Sequence, residues 1–444
     1  MIAKQLGISR LGKRAKALLE IDKKYISPSY TRGYPFFMDH GRGAYVWDVD
    51  GHAFLDFTSG IAVTSTGHSH PAVVRAIEEQ ARKFLHMSGS DFYYEPEIAL
   101  ARKLATITPG KEPKKVFFCN SGAEAVEAAI KLARHATGRQ YFISFFGAFH
   151  GRTMGALALT GSKDGQRARF GPLMPGVVHV PYGDCAHCAY NLRYGKCGIA
   201  CVSFIEDVLF KRTLPANEVA AIFVEPIQGE GGYVVPPKEF HPRLRALADR
   251  HGILLVSDEI QAGLGRTGKM FAIEHWNVVP DIVVVAKALA SGLPLGATIA
   301  PARLMNWAPG AHGSTFGGNP VSCAAALETL KLLENGLVAN AAKMGDYLTR
   351  RLAAIQKKSR VMGRLTGKGL MIGIEIVEDK RTMKPAPAIR NSIVDACFYL
   401  GLLVLPCGPS TLRMVPPLVI GTKEADLALG IFEKALSKVS RGRR

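Results

Sequence analysis

The spacing of apolar positions along this chain changes near residue 70. Upstream, short alternating runs are separated by turns. GAYVWDVDG at 43–51 reads as a strand closing on an Asp-Gly turn, and HAFLDF at 52–57 as the returning strand. The first sixty-odd residues are therefore expected to alternate short strands with turns, forming a small antiparallel element ahead of the main body. Downstream, apolar residues recur at helical spacing over 73–84 and 123–136. Continuous apolar runs fall at 115–119, 141–144, 219–224, 253–256 and 282–285. Runs that are apolar on both faces and alternate with helices predict a mainly parallel sheet covered on both sides. A long helix from 324 through 333 then leads into a last segment of mixed helix and strand that includes 370–376. No internal repeat or low-complexity linker interrupts the chain, and the pattern divides it at 1–70, 71–330 and 331–444.

Composition narrows the function classes. The 444 residues are 48% hydrophobic, enough for a large core. No uncharged apolar stretch approaches the roughly 18 residues of a membrane helix, so no membrane partner is expected. The opening MIAKQLG lacks the continuous apolar core of a secretory signal, which predicts a cytoplasmic location. A net charge of +19 raises nucleic-acid binding as a remote alternative. The excess is spread along the chain, though, with modest concentrations only at 13–16 and 440–444, and no zinc finger, RRM signature or basic-aromatic stripe accompanies it. Such a field would equally attract small anions.

Cysteines are unevenly used. Cys185, Cys188, Cys197 and Cys201 form C-x2-C-x8-C-x3-C, with His187 inside the first pair. That spacing would suit a tetrahedral structural zinc. Against it, the second pair is not C-x2-C, and small cysteines bury easily as ordinary hydrophobes. No metal ligand is assigned.

Ligands of a parallel sheet sit beyond the carboxyl ends of its strands, and the distinctive loops fall there. NSGAE at 120–124 opens a helix directly after a strand, placing Ser121, Gly122 and Ala123 where a helix N-terminus favours phosphate; Ser and Asn also cap ordinary helices there. FHGRT at 149–153 offers Phe149 and His150 as rings to lie against a planar ligand and Arg152 as a carboxylate clamp. EPIQGEGG at 225–232 carries Glu225 and Glu230 in a glycine-rich loop. DEIQ at 258–261 and then Lys287 each follow a buried apolar run. GSTFGGNP at 313–320 offers the Thr315 hydroxyl. LRMVPPL at 412–418 sets Arg413 on an extended segment before two prolines. A lysine and an acid at the ends of buried strands are what pyridoxal 5′-phosphate (PLP) requires. The amine attaches the cofactor, and the carboxylate keeps the pyridine nitrogen protonated.

The joint order of these motifs, with GHSHP at 67–71 and DEIQAGLGRTG at 258–268, resembles the class III aminotransferases. That group includes the 4-aminobutyrate, ornithine and N-acetylornithine enzymes, and the resemblance covers nearly the whole chain. It implies the α/β architecture of PLP fold type I. A large domain with a mainly parallel seven-stranded sheet would be joined by a smaller α+β domain made from both chain ends. Carried over, Lys287 holds the cofactor and shuttles the proton, Asp258 pairs with the ring nitrogen, and Gln261 bonds near the ring hydroxyl. Phe149 with His150 covers one ring face and Ile260 the other. Ser121 with the Gly122 and Ala123 N–H groups holds the phosphate, and Thr315 reaches the phosphate of a neighbouring subunit, implying at least a homodimer. Arg152 takes a distal carboxylate, and Glu230 masks Arg413 until an α-carboxylate displaces it. Glu225 and Ile61, with Tyr25 and Ala62, complete the expected substrate contacts. The implied reaction moves an amino group from an ω-amino or ornithine-type donor to a 2-oxo acid such as 2-oxoglutarate.

Two departures keep an alternative open. Phe149 replaces a tyrosine seen in some 4-aminobutyrate enzymes and leans towards acetylornithine-like pockets. The cysteine-bearing insertion is similar to a branch that also includes amino-acid racemases. Racemisation would need a second acid-base group opposite Lys287, with Glu230 or the 149–150 loop as candidates, and no amino acceptor.

Overall fold

The computed structural model describes residues 6–8 and 11–441. Its largest sheet has seven strands, ordered Lys114–Cys119, Gly296–Pro301, Ile282–Val285, Leu254–Asp258, Val219–Val224, Tyr141–Phe145 and Val177–Val180. All run parallel except Gly296–Pro301, which is antiparallel to both neighbours. The central strands Val219–Val224, Leu254–Asp258 and Ile282–Val285 are buried along their whole length. Their side chains alternate between two cores. Phe223, Val256 and Val284 pack under the helix Gly122–Thr137, while Ile222, Leu255 and Val283 face the opposite layer. Each such Val, Leu or Phe removed from water contributes about 1.5–3 kcal/mol, which makes the sheet the rigid floor of the molecule.

The single antiparallel strand has a local cause. From Ile282–Val285 the chain makes a short 3-10 turn at Lys287–Ala290 and returns at once as Gly296–Pro301. A parallel partner would need a long crossover, whereas this short connection permits only antiparallel pairing. Gly296 makes the return fit, because a Cβ there would lie 2.5 Å from the Ser121 carbonyl oxygen. Neither this strand nor Val177–Val180 was anticipated from the apolar pattern.

Two smaller sheets flank the large one. The hairpin Tyr45–Asp48 and Ala53–Asp56 forms as its Asp-Gly turn predicts, and Leu402–Leu403 from the far end of the chain pairs parallel to Ala53–Asp56. An antiparallel sheet ordered Met362–Lys368, Met371–Ile376, Thr411–Met414 and Leu405–Cys407 carries Arg413 on its third strand. Fully buried Arg266 ties these parts together by donating to the carbonyl oxygens of Leu370 (3.3 Å) and Pro416 and to Ser65 Oγ (3.1 Å).

The expectation of strands and turns throughout the first sixty residues is corrected in one place: Lys13–Tyr25 is a helix. Only Ala15 is buried on it, so its periodicity is faint. Its start is held from a distance, where the Asp50 carboxylate accepts the Arg14 N–H at 3.1 Å and the Ala15 N–H at 2.9 Å. Gly12 leaves room, since a Cβ there would overlap that carboxylate. Replacing a capping carboxylate by alanine costs about 1 kcal/mol. Asp50→Ala is therefore expected to raise amide hydrogen exchange across Lys13–Tyr25 by roughly fivefold, with the seven-stranded sheet unchanged. Equal exchange in both proteins would show that the cap does not hold this helix.

Candidate active site

Five parallel strands end around one cavity of about 430 Å³. The loops that follow them supply Asn120, Ser121, Gly122 and Ala123; Phe149, His150, Gly151 and Arg152; Glu225; Asp258, Ile260 and Gln261; and Ala286 and Lys287. Val63 and residues 292–295 complete the wall.

Asp258 is the last residue of its strand and is buried. Its Oδ2 lies 2.7 Å from His150 Nδ1, and its Oδ1 accepts the Ile260 N–H at 3.0 Å. Burial alone would push the His150 imidazole towards neutrality, but the Asp258 carboxylate outweighs it and holds its pKa above the ordinary value. His150 thus turns to Asp258. Its Nε2 is buried without a hydrogen-bond partner among the described residues.

Lys287 is half-buried at the start of the 3-10 turn with a left-handed backbone (φ 47°). A non-glycine residue in that region is strained, and such strain concentrates at functional positions. Burial lowers the pKa of its amine, against the opposing pull of Asp258 and Glu225. Glu225 caps the neighbouring loop turn, accepting the Phe149 N–H at 3.0 Å and the Gly229 N–H at 2.9 Å. Its carboxyl is pushed up to about 7, first by burial, with His150 opposing.

Ser121 is the N-cap of the helix Gly122–Thr137, its Oγ accepting the Glu124 N–H at 3.2 Å. The Gly122 and Ala123 N–H groups make no hydrogen bond among the described residues and face the cavity, as an anion site requires. A Cβ on Gly122 would meet Ile260 at 2.9 Å, so the glycine keeps the cavity open between them. Gln261 accepts from the Tyr233 hydroxyl at 3.0 Å. Arg152 is exposed, its guanidinium 5.7 Å from the Phe149 ring centre.

The cavity wall does not include Ile61, Thr315, Glu230 or Arg413. Ile61 and Thr315 are exposed. Glu230 and Arg413 form their own pair, Oε2 to Nη1 at 3.3 Å, close enough to Lys287 to act on its charge. Asn120 lies in the 120–124 loop that the sequence singled out, whereas Val63 and the 292–295 return carried no sequence signal. The four clustered thiols line one small cavity of about 20 Å³. Among the described residues, however, no three His, Cys, Asp or Glu side chains are placed to hold a metal. His187 instead meets Glu375 at 2.7 Å. Among the same residues no helix is long and apolar enough to cross a membrane.

Behind the Glu225 turn, His241 is fully buried with Nε2 3.0 Å from the Pro226 carbonyl oxygen, and burial drives its pKa down to about 4. The unfolded imidazole titrates near 6.5, so at lower pH the unfolded chain takes up a proton that the folded chain refuses. The contribution is complete above about pH 6.5 and is lost as pH falls towards 4. His241→Gln is expected to flatten the dependence of unfolding free energy on pH by up to about one proton across that window, read from denaturant melts. An unchanged slope would contradict the burial argument.

A family model described as Aminotransferase class-III matches residues 26–436. The acetylornithine aminotransferase of Methanopyrus kandleri is 43% identical over 419 residues, covering 94% of this chain and 98% of that enzyme. The isoleucine 2-epimerase of Lentilactobacillus buchneri is 38% identical over 442 residues, covering 98% of this chain and 97% of that enzyme. Among solved structures, an amine transaminase from an uncultivated Pseudomonas species in the PLP-bound form superposes with a TM-score of 0.86 at 32% identity. The match covers 94% of this chain and 98% of that one.

Proposed function

The chain belongs to the class III aminotransferase family, whose cofactor is pyridoxal 5′-phosphate, and from that premise we propose that it moves an amino group from an ω-amino acid or ornithine-type donor to 2-oxoglutarate. The observation that carries this reading is the Glu230–Arg413 pair. Arg413 is only 6% exposed, its Nε and Nη1 lack hydrogen-bond partners among the described residues, and its counter-charge is a carboxylate on a separate loop. A buried guanidinium with unused donors is built to receive a planar carboxylate.

When bound, the cofactor supplies an electron sink for the carbon that loses and regains a proton. The chain's residues do the rest. Lys287 would hold the cofactor covalently and carry the proton, a role suited by an amine whose pKa is lowered by desolvation. Asp258, held by His150 at 2.7 Å, would pair with the ring nitrogen. The Gly122 and Ala123 N–H groups, with Ser121, would receive the phosphate; Phe149 and Ile260 would cover the ring, and Gln261 would bond near its hydroxyl. Donors whose only carboxylate is remote from the amine bind while Glu230 covers Arg413. 2-Oxoglutarate displaces Glu230, sets its α-carboxylate on Arg413 and its distal carboxylate on Arg152. Glu225 keeps the Phe149 loop in place, Ile61 would contact substrate from outside the cavity wall, and Thr315 would complete the phosphate site of a partner subunit in a homodimer.

A second reading is 2-epimerisation. It is supported by the similarity to the isoleucine 2-epimerase and by Glu225, a carboxyl with a pKa of about 7 in the same cavity as Lys287. One experiment separates the two. Purified enzyme loaded with PLP is offered 4-aminobutyrate, ornithine and N-acetylornithine with 2-oxoglutarate, and glutamate is measured. In parallel, L-amino acids are followed by optical rotation without any 2-oxo acid. Glutamate formation with stable rotation is expected, and Lys287→Ala should lower turnover by at least about a thousandfold. Loss of rotation without an acceptor would select epimerisation instead.

A further inference from the structure

Glu230 sits between two cations, and its two contacts are unequal. Its Oε1 accepts a hydrogen bond from Lys163 Nζ at 2.5 Å. Its Oε2 lies 3.3 Å from Arg413 Nη1, but without hydrogen-bond alignment, so that nitrogen stays without a hydrogen-bond partner. Side-chain exposure falls from 44% at Lys163 through 17% at Glu230 to 6% at Arg413. The series runs inward from a wet ammonium, through a largely covered carboxylate, to a dry guanidinium.

The main chain at Glu230 has little freedom to adjust. Its carbonyl oxygen accepts the Gly408 N–H at 2.8 Å. The next residue, Gly231, packs so closely that a Cβ would lie 2.6 Å from the Gly147 carbonyl oxygen. Movement of the carboxylate therefore falls to side-chain rotation between the two cations.

We propose that Lys163 is a positioning residue that serves as the alternative partner of Glu230, drawing the carboxylate off Arg413 and so setting how readily an α-carboxylate is admitted. The inference rests on the amino-transfer reading, in which Arg413 receives the α-carboxylate of the 2-oxo acid. Separating a buried charge from its only partner is costly, because the abandoned group stays desolvated. Here neither group is abandoned: the entering carboxylate neutralises Arg413, and Lys163 keeps the displaced Glu230 paired at the rim. Lysine suits the task, since its compact charge on a flexible stem can follow a rotating carboxylate. Without it, Arg413 is the one cation among the described residues left in contact with Glu230, and the pair would close into a tighter mask.

The test uses PLP-loaded wild type, Lys163→Met, Lys163→Arg, Glu230→Ala and the double variant K163M/E230A. The two half-reactions are measured separately with 4-aminobutyrate and with 2-oxoglutarate, and the Kd of glutarate is taken by calorimetry. Lys163→Met is expected to raise the KM for 2-oxoglutarate and the Kd of glutarate roughly five- to tenfold, while kcat and the KM for 4-aminobutyrate stay within about twofold. Lys163→Arg should restore most of the loss. In the Glu230→Ala background, Lys163→Met should change nothing, because no carboxylate remains to be positioned. Wild-type affinity in Lys163→Met, or an effect that persists without Glu230, overturns the role of Lys163 alone. If Glu230→Ala leaves the preference between the two substrates unchanged, the masking of Arg413 fails and the inference fails with it. Glutarate binding needs no turnover, so it decides the role of Lys163 even where 4-aminobutyrate is a poor donor.

Discussion

Charge is tolerable in this sheet only at its ends, and that constraint organises the molecule. The three central strands are dry along their length, so an ionisable side chain within them would lose its hydration with nothing in return. At their carboxyl ends the chain leaves the sheet, and loop N–H groups become free to compensate. Asp258, Glu225 and Lys287 all stand at this boundary. Each carboxylate has partners that offset its burial: His150 and the Ile260 N–H for Asp258, and the Phe149 and Gly229 N–H groups for Glu225. The result is a cluster of opposite charges close enough to shift one another while still facing a shared cavity.

The same boundary demands close backbone approach. The return strand brings Gly296 against the Ser121 carbonyl, and Gly229 leaves no room for a Cβ beside Gln261, 2.4 Å from its amide nitrogen. These contacts carry no chemistry, yet each holds a cavity loop against a neighbour, and Gly122, whose Cβ would lie 2.9 Å from Ile260, brings the 120–123 loop up to the 258–261 loop. The left-handed turn at Lys287 belongs to the same geometry, because it swings the chain out of one strand and back beside it within a few residues.

Much of this was legible in the sequence, and the reasons are specific. Val219–Val224 and Ile282–Val285 are continuous apolar, β-branched runs that only a doubly covered strand explains. The loops after them stand out because glycine and charged residues follow such runs abruptly. Other elements were not visible: His179 interrupts Val177–Val180, Gly296–Pro301 is built of glycine, alanine and proline around two β-branched residues, and the helix Lys13–Tyr25 owes its cap to Asp50, some 35 residues away. Pairings across the chain were equally hidden. His150 meets Asp258 over 108 positions and Lys163 meets Glu230 over 67, and nothing local to either residue announces its partner. Sequence patterns report which face of an element is buried, whereas side-chain pairing depends on how distant loops are stacked.

The hydrogen bond from the Gly408 N–H to the Glu230 carbonyl oxygen joins the end of the strand Leu405–Cys407 to a loop of the seven-stranded sheet. Arg413, on the adjoining strand Thr411–Met414 and in register with Leu405, belongs to that same late segment. The Glu230–Arg413 pair is thus held between the central scaffold and the terminal region, whereas Asp258 and Lys287 both follow strands of the central sheet. A shift of the terminal strands would therefore move one member of this ion pair against the other while leaving the ends of the central strands in place.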